Sequence, residues 1–325
     1  MTTIERASRT DGRRLYREIW KTVARMFYDA ERLKEADWAG KKNFYDARIV
    51  DEESALACAR EALSALDDAY TRLVPEDEFR VHVAEREDVK ESNVFSRVLP
   101  DNVGYIRILS FSQSNIFQQV SAEVEKLAQC AALILDLRDN GGGLIDDTAN
   151  CCEYFVAEGT VTGVAHRTAK GMHERYIGFN ERAFVVLEEK NGRERKPQLF
   201  RRRPALLSGK PTVVLVNEHT ASSAELFASA VIENGKEKGH CIAMGTETAG
   251  KGIAQTTVDI LSGKAKLKIS YSKFFSANLQ WLGDAGQRVS NGIKPDVEVD
   301  EMSDVNAPLK AAYAHLREFL GLAPR

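Results

Sequence analysis

Apolar side chains at Leu15, Ile19, Val23, Met26 or Phe27 and Leu33 recur at helical spacing, which predicts a helix over residues 12–37. A second helix is expected over 52–66, with Leu56, Ala59, Leu63 and Leu66 on one stripe, Asp51 as N-cap and Asp67-Asp68 ending the run. Residues 80–93 are highly charged and weakly periodic, so they read as a connector. From Val94 the pattern changes. Strands are expected over 94–98 and 103–109, around the turn Pro100-Asp101-Asn102. A helix over 121–130 leads to the continuous apolar run 131–137, short enough for a central strand buried on both faces. A helix over 147–157, strands over 160–166, 211–217, 240–245, 254–260 and 265–272, and a closing helix over 309–319 complete the pattern. Strands alternating with helices predict an α/β fold. The chain divides on this reading into an N-terminal helical region, 1–79, the connector, 80–93, and an α/β core, 94–325.

Composition narrows the function classes. At 325 residues, 43% hydrophobic and 29% charged, with a net charge of −3, the chain is an ordinary globular protein. It offers no electrostatic reason to expect nucleic acid or an acidic membrane as the main partner. The basic cluster Arg201-Arg202-Arg203, near Arg193, Arg195 and Lys196, reads as a solvated loop. The five cysteines, Cys58, Cys130, Cys151, Cys152 and Cys241, show no C-x-x-C spacing, and the six histidines show no metal-ligand spacing. Reduced, buried thiols are the simplest account. Residues 1–14 are polar and lack the apolar core of a secretory signal, and no run approaches the ~20 apolar residues that span a bilayer. These points lead to the expectation of a cytoplasmic protein without metal or cofactor.

Three glycine- or serine-bearing turns could carry chemistry. Asp139-Asn140-Gly141-Gly142-Gly143 follows the buried run; its N–H groups could form an oxyanion hole, or the glycines could simply make a tight turn. Ser222 follows the apolar run ending at Val216 and opens a helical stretch, where a helix N-terminus favours developing negative charge. Ser222-x-x-Glu225 is also a capping box, so Ser222 could be only a helix cap, with Asn234-Gly235 as the helix stop. Gly245 to Gly252 nearly matches the phosphate-binding G-x-x-x-x-G-K-[ST] loop, but residue 252 is glycine and the hydroxyl that would hold magnesium is missing. Lys251 between its two glycines could equally be a general base, if burial keeps its amine neutral, with Gln255 orienting it. His219, three residues before Ser222, reads as a loop histidine.

Together these pieces resemble the C-terminal processing, or tail-specific, serine peptidases. The resemblance rests on Leu66-Asp67-Asp68-Ala69-Tyr70-Thr71, Val103 to Ile108, Leu133 to Gly143, Val214 to Glu225, Gly250-Lys251-Gly252 with Gln255, and Gly292-Ile293-Lys294-Pro295-Asp296, which stand in family order. It implies a crotonase/ClpP-like spiral ββα core preceded by a small helical region. It also implies a serine endopeptidase that cuts protein or peptide chains near their C-termini through an acyl-enzyme. Ser222 would be the nucleophile, Lys251 the base and Gln255 the third member, with the backbone N–H groups of Gly142 and Ser223 as the oxyanion hole. Protein or peptide would be the substrate, with no nucleic acid or membrane partner; a homo-oligomer is compatible. The pattern departs from the family in three ways. Only residues 80–93 stand where relatives often insert a PDZ domain, Ser222-Ser223-Ala224-Glu225 replaces S-A-S-E and leaves Ser223 as an alternative nucleophile, and the serine-to-lysine spacing is a few residues longer than usual. A non-catalytic protein holding an apolar ligand on the same scaffold is the alternative reading.

Overall fold

The computed structural model describes residues 3–75, 92–168, 170–236, 239–302 and 304–323. The charged connector expected over 80–93 lies, up to residue 91, outside the described residues. The chain forms two compact units.

The first unit groups the N-terminal helices with residues 165–173 and 253–273, two later segments that a division at residue 79 leaves in the core. Helix α1 (Thr3–Met26) buries Leu15, Tyr16, Ile19 and Val23. It starts earlier than the periodicity predicts and stops at Met26, because Asp29 caps a separate α2 (Ala30–Glu35), accepting from the N–H groups of Glu31 and Arg32. A short α3 (Lys41–Phe44) follows, and Trp20 and Trp38 each donate an indole N–H to the other's carbonyl, at 2.7 and 3.1 Å. Helix α4 (Glu52–Ser64) opens on the expected Asp51, reciprocally capped with Ser54. In the Leu66-to-Thr71 element, the Thr71 hydroxyl donates to Asp68 and accepts from the Ser270 N–H at 3.0 Å. Strand β1 (Arg72–Leu73) continues that link by pairing antiparallel with the later strand at Leu267 and Lys268.

The second unit is built on a six-stranded sheet. Its members are β2 (Val94–Leu99), β3 (Val103–Ile108), β4 (Ala132–Asp136), β10 (Thr212–Val216), β11 (Cys241–Gly245) and β14 (Val297–Glu298), in the order β14-β11-β10-β4-β3-β2. All pairs are parallel except the β2–β3 hairpin. All five residues of β4 and all five of β10 are buried. That is why their sequences run apolar without alternation: helices cover both faces of a parallel sheet. Helix α8 (Ala307–Phe319) lays Ala312 and Leu316 over Val103, Ile134, Val213, Leu215 and Met244. The aromatic residues Phe111, Phe155 and Phe227 pack together at ring separations of 5.2 and 5.1 Å. Helix α5 (Ile116–Leu127) buries Ile116, Val120, Val124 and Leu127. Helices α6 (Ile145–Cys151) and α7 (Ser223–Lys236) follow β4 and β10 through the glycine and serine turns.

Strands β5 (Gly159–Thr168), β6 (Gly171–Phe179), β7 (Ala183–Lys190), β8 (Arg193–Glu194) and β9 (Gln198–Arg201) lie between α6 and β10 in the chain. Within the second unit β7 pairs antiparallel with both β8 and β9. The expected solvated arginine loop ends here differently. Arg202 donates to the carbonyls of Glu153, Val156, Ala157 and Asn180, and its guanidinium sits 4.5 Å over the Phe179 ring. It clamps the chain after α6, while Arg201 and Arg203 stay exposed. The first unit takes β12 (Ile253–Ile260) and β13 (Ala265–Phe275, as far as Lys273), an antiparallel hairpin turning through Leu261, Ser262 and Gly263 at positive φ.

Candidate active site

Three neighbouring parallel strands, β11, β10 and β4, end at the same edge of the sheet, and each runs into one of the three sequence motifs. The carboxyl edge of parallel strands is where α/β proteins assemble sites, because the loops there converge.

The turn after β4 is fixed from below. Asp136 and Arg138 form a buried pair, Nη2 to Oδ2 at 2.6 Å and Nε to Oδ1 at 2.9 Å, and the Tyr105 hydroxyl donates to Asp136 at 2.8 Å. Asp139 takes a left-handed φ of 63°. Asn140 is fully buried; its amide donates to the Ile108 carbonyl, its Oδ1 accepts from the Gly142 N–H at 2.9 Å, and its backbone carbonyl accepts from the Ala221 N–H at 2.9 Å. The turn after β10 docks against it: Asn217 bonds Asp139, and the Thr220 hydroxyl donates to the Leu137 carbonyl at 2.9 Å.

Ser222 sits at the apex of this second turn. Its φ is 61°, a left-handed conformation that costs a non-glycine residue about 1–2 kcal/mol. Gly142, at φ 93°, lies directly against it: a Cβ added to Gly142 would fall 2.7 Å from the Ala221 carbonyl oxygen and 2.9 Å from Ser222 Cβ and from the Ser223 nitrogen. The capping box is half present. Glu225 Oε2 accepts from the Ser222 N–H at 2.8 Å, but the Glu225 N–H goes to the Ser222 carbonyl at 2.9 Å, not to the hydroxyl. The Ser222 hydroxyl therefore has no hydrogen bond among the described residues; Ser222 is partly buried, whereas Ser223 is fully buried. Helix α7 ends at Lys236, one residue beyond the expected stop at Asn234-Gly235. The Asn234 amide donates to Ala230 and Thr160 and stays helical, and Gly235 instead admits Cys241, whose Cβ lies 2.5 Å from where a Gly235 Cβ would be.

Lys251 stands at the end of the third turn, which also carries a left-handed Gly250 at φ 68°. The Ala249 N–H bonds the Thr220 carbonyl at 3.1 Å, and Lys251 bridges to Asp284 in the backbone. One side chain joins this turn to the serine turn. The fully buried Glu225 accepts from the Thr248 hydroxyl at 2.6 Å and the Gly250 N–H at 2.7 Å through Oε1, and from the Ser222 and Lys251 N–H groups at 2.8 Å through Oε2. Burial pushes the Glu225 carboxyl up, opposed by these four donors. The N–H groups that a phosphate loop would offer a nucleotide are thus spent on a carboxylate, which accounts physically for the near match of Gly245 to Gly252. Thr248 also accepts from the Ile293 N–H at 2.7 Å and donates its own N–H to the Ile293 carbonyl at 3.2 Å, so the Gly292-to-Asp296 element braces the lysine turn, and Asp296 accepts from the Ala243 N–H within β11 at 2.8 Å.

The second unit thus brings together Ser222, Ser223, Gly142 and Lys251. Gln255 belongs to the first unit, on β12 beside a register shift at Ala254/Gln255, and its amide donates to the Ile253 carbonyl at 3.3 Å. His219 is exposed next to Glu218. All five cysteines are buried and unpaired, and burial raises the thiol pKa of Cys151 and Cys152 well above the ordinary range.

The family model for peptidase family S41 matches residues 102–299. The chain belongs to peptidase family S41. Among curated S41-like relatives, it is 28% identical over 217 residues to the carboxy-terminal processing protease CtpA of Bacillus subtilis (strain 168), covering 66% of this chain and 39% of that protein. It is likewise 28% identical over 217 residues to the chloroplastic C-terminal processing peptidase of Tetradesmus obliquus, covering 64% of this chain and 39% of that one. The S41 chain therefore spans about two fifths of the length of these relatives. Its fold is that of the photosystem II D1 C-terminal processing protease, with a TM-score of 0.67 at 18% identity over 93% of this chain and 97% of that one. A lipoprotein from Streptococcus agalactiae shares the fold, with a TM-score of 0.59 at 17% identity over 95% and 96% of the two chains. The expected α/β class and the N-terminal helical region are both present.

Proposed function

We propose that this S41 protein is a serine endopeptidase acting on polypeptide chains near their C-termini, with Ser222 as nucleophile and Lys251 as general base. The observation that carries the reading is the Ser222 turn itself. A serine held in a left-handed conformation at the start of a 14-residue helix, hydroxyl uncommitted among the described residues, has the sequence-distant lysine turn bonded to the Thr220 carbonyl two residues before it.

In this mechanism Ser222 Oγ attacks the scissile carbonyl while neutral Lys251 takes its proton, and the proton then passes to the leaving amine. Water resolves the acyl-enzyme with the lysine again as base. The α7 N-terminus and the Ser223 N–H, which has no partner among the described residues, face the growing oxyanion charge. Gly142 supplies the second N–H; that group rests on Asn140 Oδ1 and is handed to the substrate oxygen in the reacting complex. Gln255 is the third member that the family resemblance implies. The partial exposure of Ser222 and the complete burial of Ser223 support Ser222 as the reactive hydroxyl. The names of the curated relatives support C-terminal processing as the task. Five buried, unpaired thiols support a reducing, cytoplasmic setting.

The test is digestion of an unstructured protein by wild type, Ser222→Ala and Lys251→Ala. The proposal expects cleavage by wild type only; equal cleavage by all three would sink it.

A further inference from the structure

We propose that Glu225 is a positioning residue for this reaction: its carboxylate sets where the lysine turn stands relative to the serine turn. This rests on the Ser222–Lys251 reading above. A helix cap needs one bond, to the Ser222 N–H, and Glu225 makes it. The other three donors, Thr248 Oγ1, Gly250 N–H and Lys251 N–H, lie 23, 25 and 26 residues further along the chain. They contribute nothing to capping.

Burying a carboxylate completely is costly unless its charge is fully hydrogen-bonded. Here each oxygen accepts two bonds of 2.6–2.8 Å, so the cost is met only while both turns are in place. Oε2 is shared by the N–H groups of Ser222 and Lys251, so a single atom spaces the two backbones. Thr248 carries the brace onward to the Ile293 N–H. Displacing a reacting group by about 1 Å can cost on the order of 10²-fold in rate without touching the chemistry. Glu225 acts through this spacing and touches no reacting atom.

The arrangement predicts an order among variants. In Glu225→Gln the amide settles with its nitrogen at the Oε1 position. There Thr248 Oγ1 can turn to accept, so the Gly250 N–H and the Thr248 hydroxyl hydrogen lose their acceptor while the Ser222 and Lys251 N–H groups keep theirs. The opposite flip would set the amide against two N–H donors, Ser222 and Lys251. Glutamine thus keeps the shared oxygen and alanine loses it.

The experiment measures kcat and KM on an unstructured protein substrate for wild type, Glu225→Gln, Glu225→Ala and Thr248→Val, each checked for folding by circular dichroism. Expected are a kcat about 10-fold lower for Gln and about 10²–10³-fold lower for Ala, both with KM within about threefold of wild type. Thr248→Val, which keeps the Ser222 and Lys251 bonds, should lose less than about 10-fold. A folded Glu225→Ala with wild-type kcat, or a loss confined to KM, overturns the proposal. Should the alanine variant not fold, a Gln variant as inactive as Ser222→Ala, or a Thr248→Val more damaged than Gln, overturns it instead. Activity in Ser222→Ala would refute the underlying catalytic reading, an outcome separate from any result at Glu225.

Discussion

Asp139 and Asn217 exchange hydrogen bonds: the Asp139 N–H donates to Asn217 Oδ1 at 3.0 Å, and the Asn217 amide donates back to Asp139 Oδ1 at 3.0 Å. The pair locks the glycine turn after β4 to the serine turn after β10, and so sets the approach of Gly142 to Ser222. Asn217→Ala leaves the Asp139 N–H without this acceptor, at a cost of about 1–3 kcal/mol. The expected outcome in a urea melt is a loss of stability of that size, with kcat falling by at least about 10-fold because the proposed oxyanion donors shift. A wild-type kcat in a destabilised Asn217→Ala would separate this pair from the site.

Gly142→Ala tests the contact on the other side. The new Cβ would meet three atoms of residues 221–223 at 2.7–2.9 Å, on a backbone whose φ of 93° already disfavours any side chain. Loss of about 10²–10³-fold in kcat is expected, comparable to removal of an oxyanion donor. Steady-state kinetics on the folded variant measures it.

Ser222 is held at φ 61°, a conformation glycine adopts without strain. Ser222→Gly should therefore stabilise the fold while abolishing cleavage. Against the entropy glycine adds to the unfolded chain, the net gain is about 0.5–1 kcal/mol. Thermal melts of Ser222→Gly and Ser222→Ala side by side check this, with Gly the more stable. The reverse order would remove the strain argument.

The cysteines give a pH prediction. Burial pushes the Cys241 thiol up to about 12. A thiol whose pKa is raised by folding contributes stability that is complete below its unfolded value near 9 and is lost as pH rises through about 12. Cys241→Ala should thus flatten the alkaline fall in stability between those limits, as read from urea midpoints across pH. A thiol reagent at pH 8 should label none of the five cysteines quickly in the native protein and all five after unfolding.

Much of the site is legible in the sequence because its signals are local. The apolar runs over β4 and β10 mark buried parallel strands, and the residues that follow each run form the candidate site. Asp51 announces its helix correctly because a cap and its partner are three residues apart. What the sequence hides is contact between distant turns. Glu225 reads as a cap because its nearest partner is three residues away, while its other three donors come from the lysine turn. Asn140, Asn217 and Thr220 pass for loop polar residues, although polar side chains straight after a buried strand are a usable signal. Arg202 looks solvated because the carbonyls it caps lie 22 to 49 residues earlier. Strands β6 to β9 escape notice because they are half-exposed or exposed along much of their length, and so lack a continuous apolar run.

The most direct measurement of the central claim is the site of covalent labelling. Wild type, Ser222→Ala and Ser223→Ala are treated with a serine-reactive fluorophosphonate and the adduct is mapped by peptide mass spectrometry. The account predicts one adduct, on Ser222, lost in Ser222→Ala and kept in Ser223→Ala. An adduct on Ser223, or labelling that survives Ser222→Ala, would contradict it.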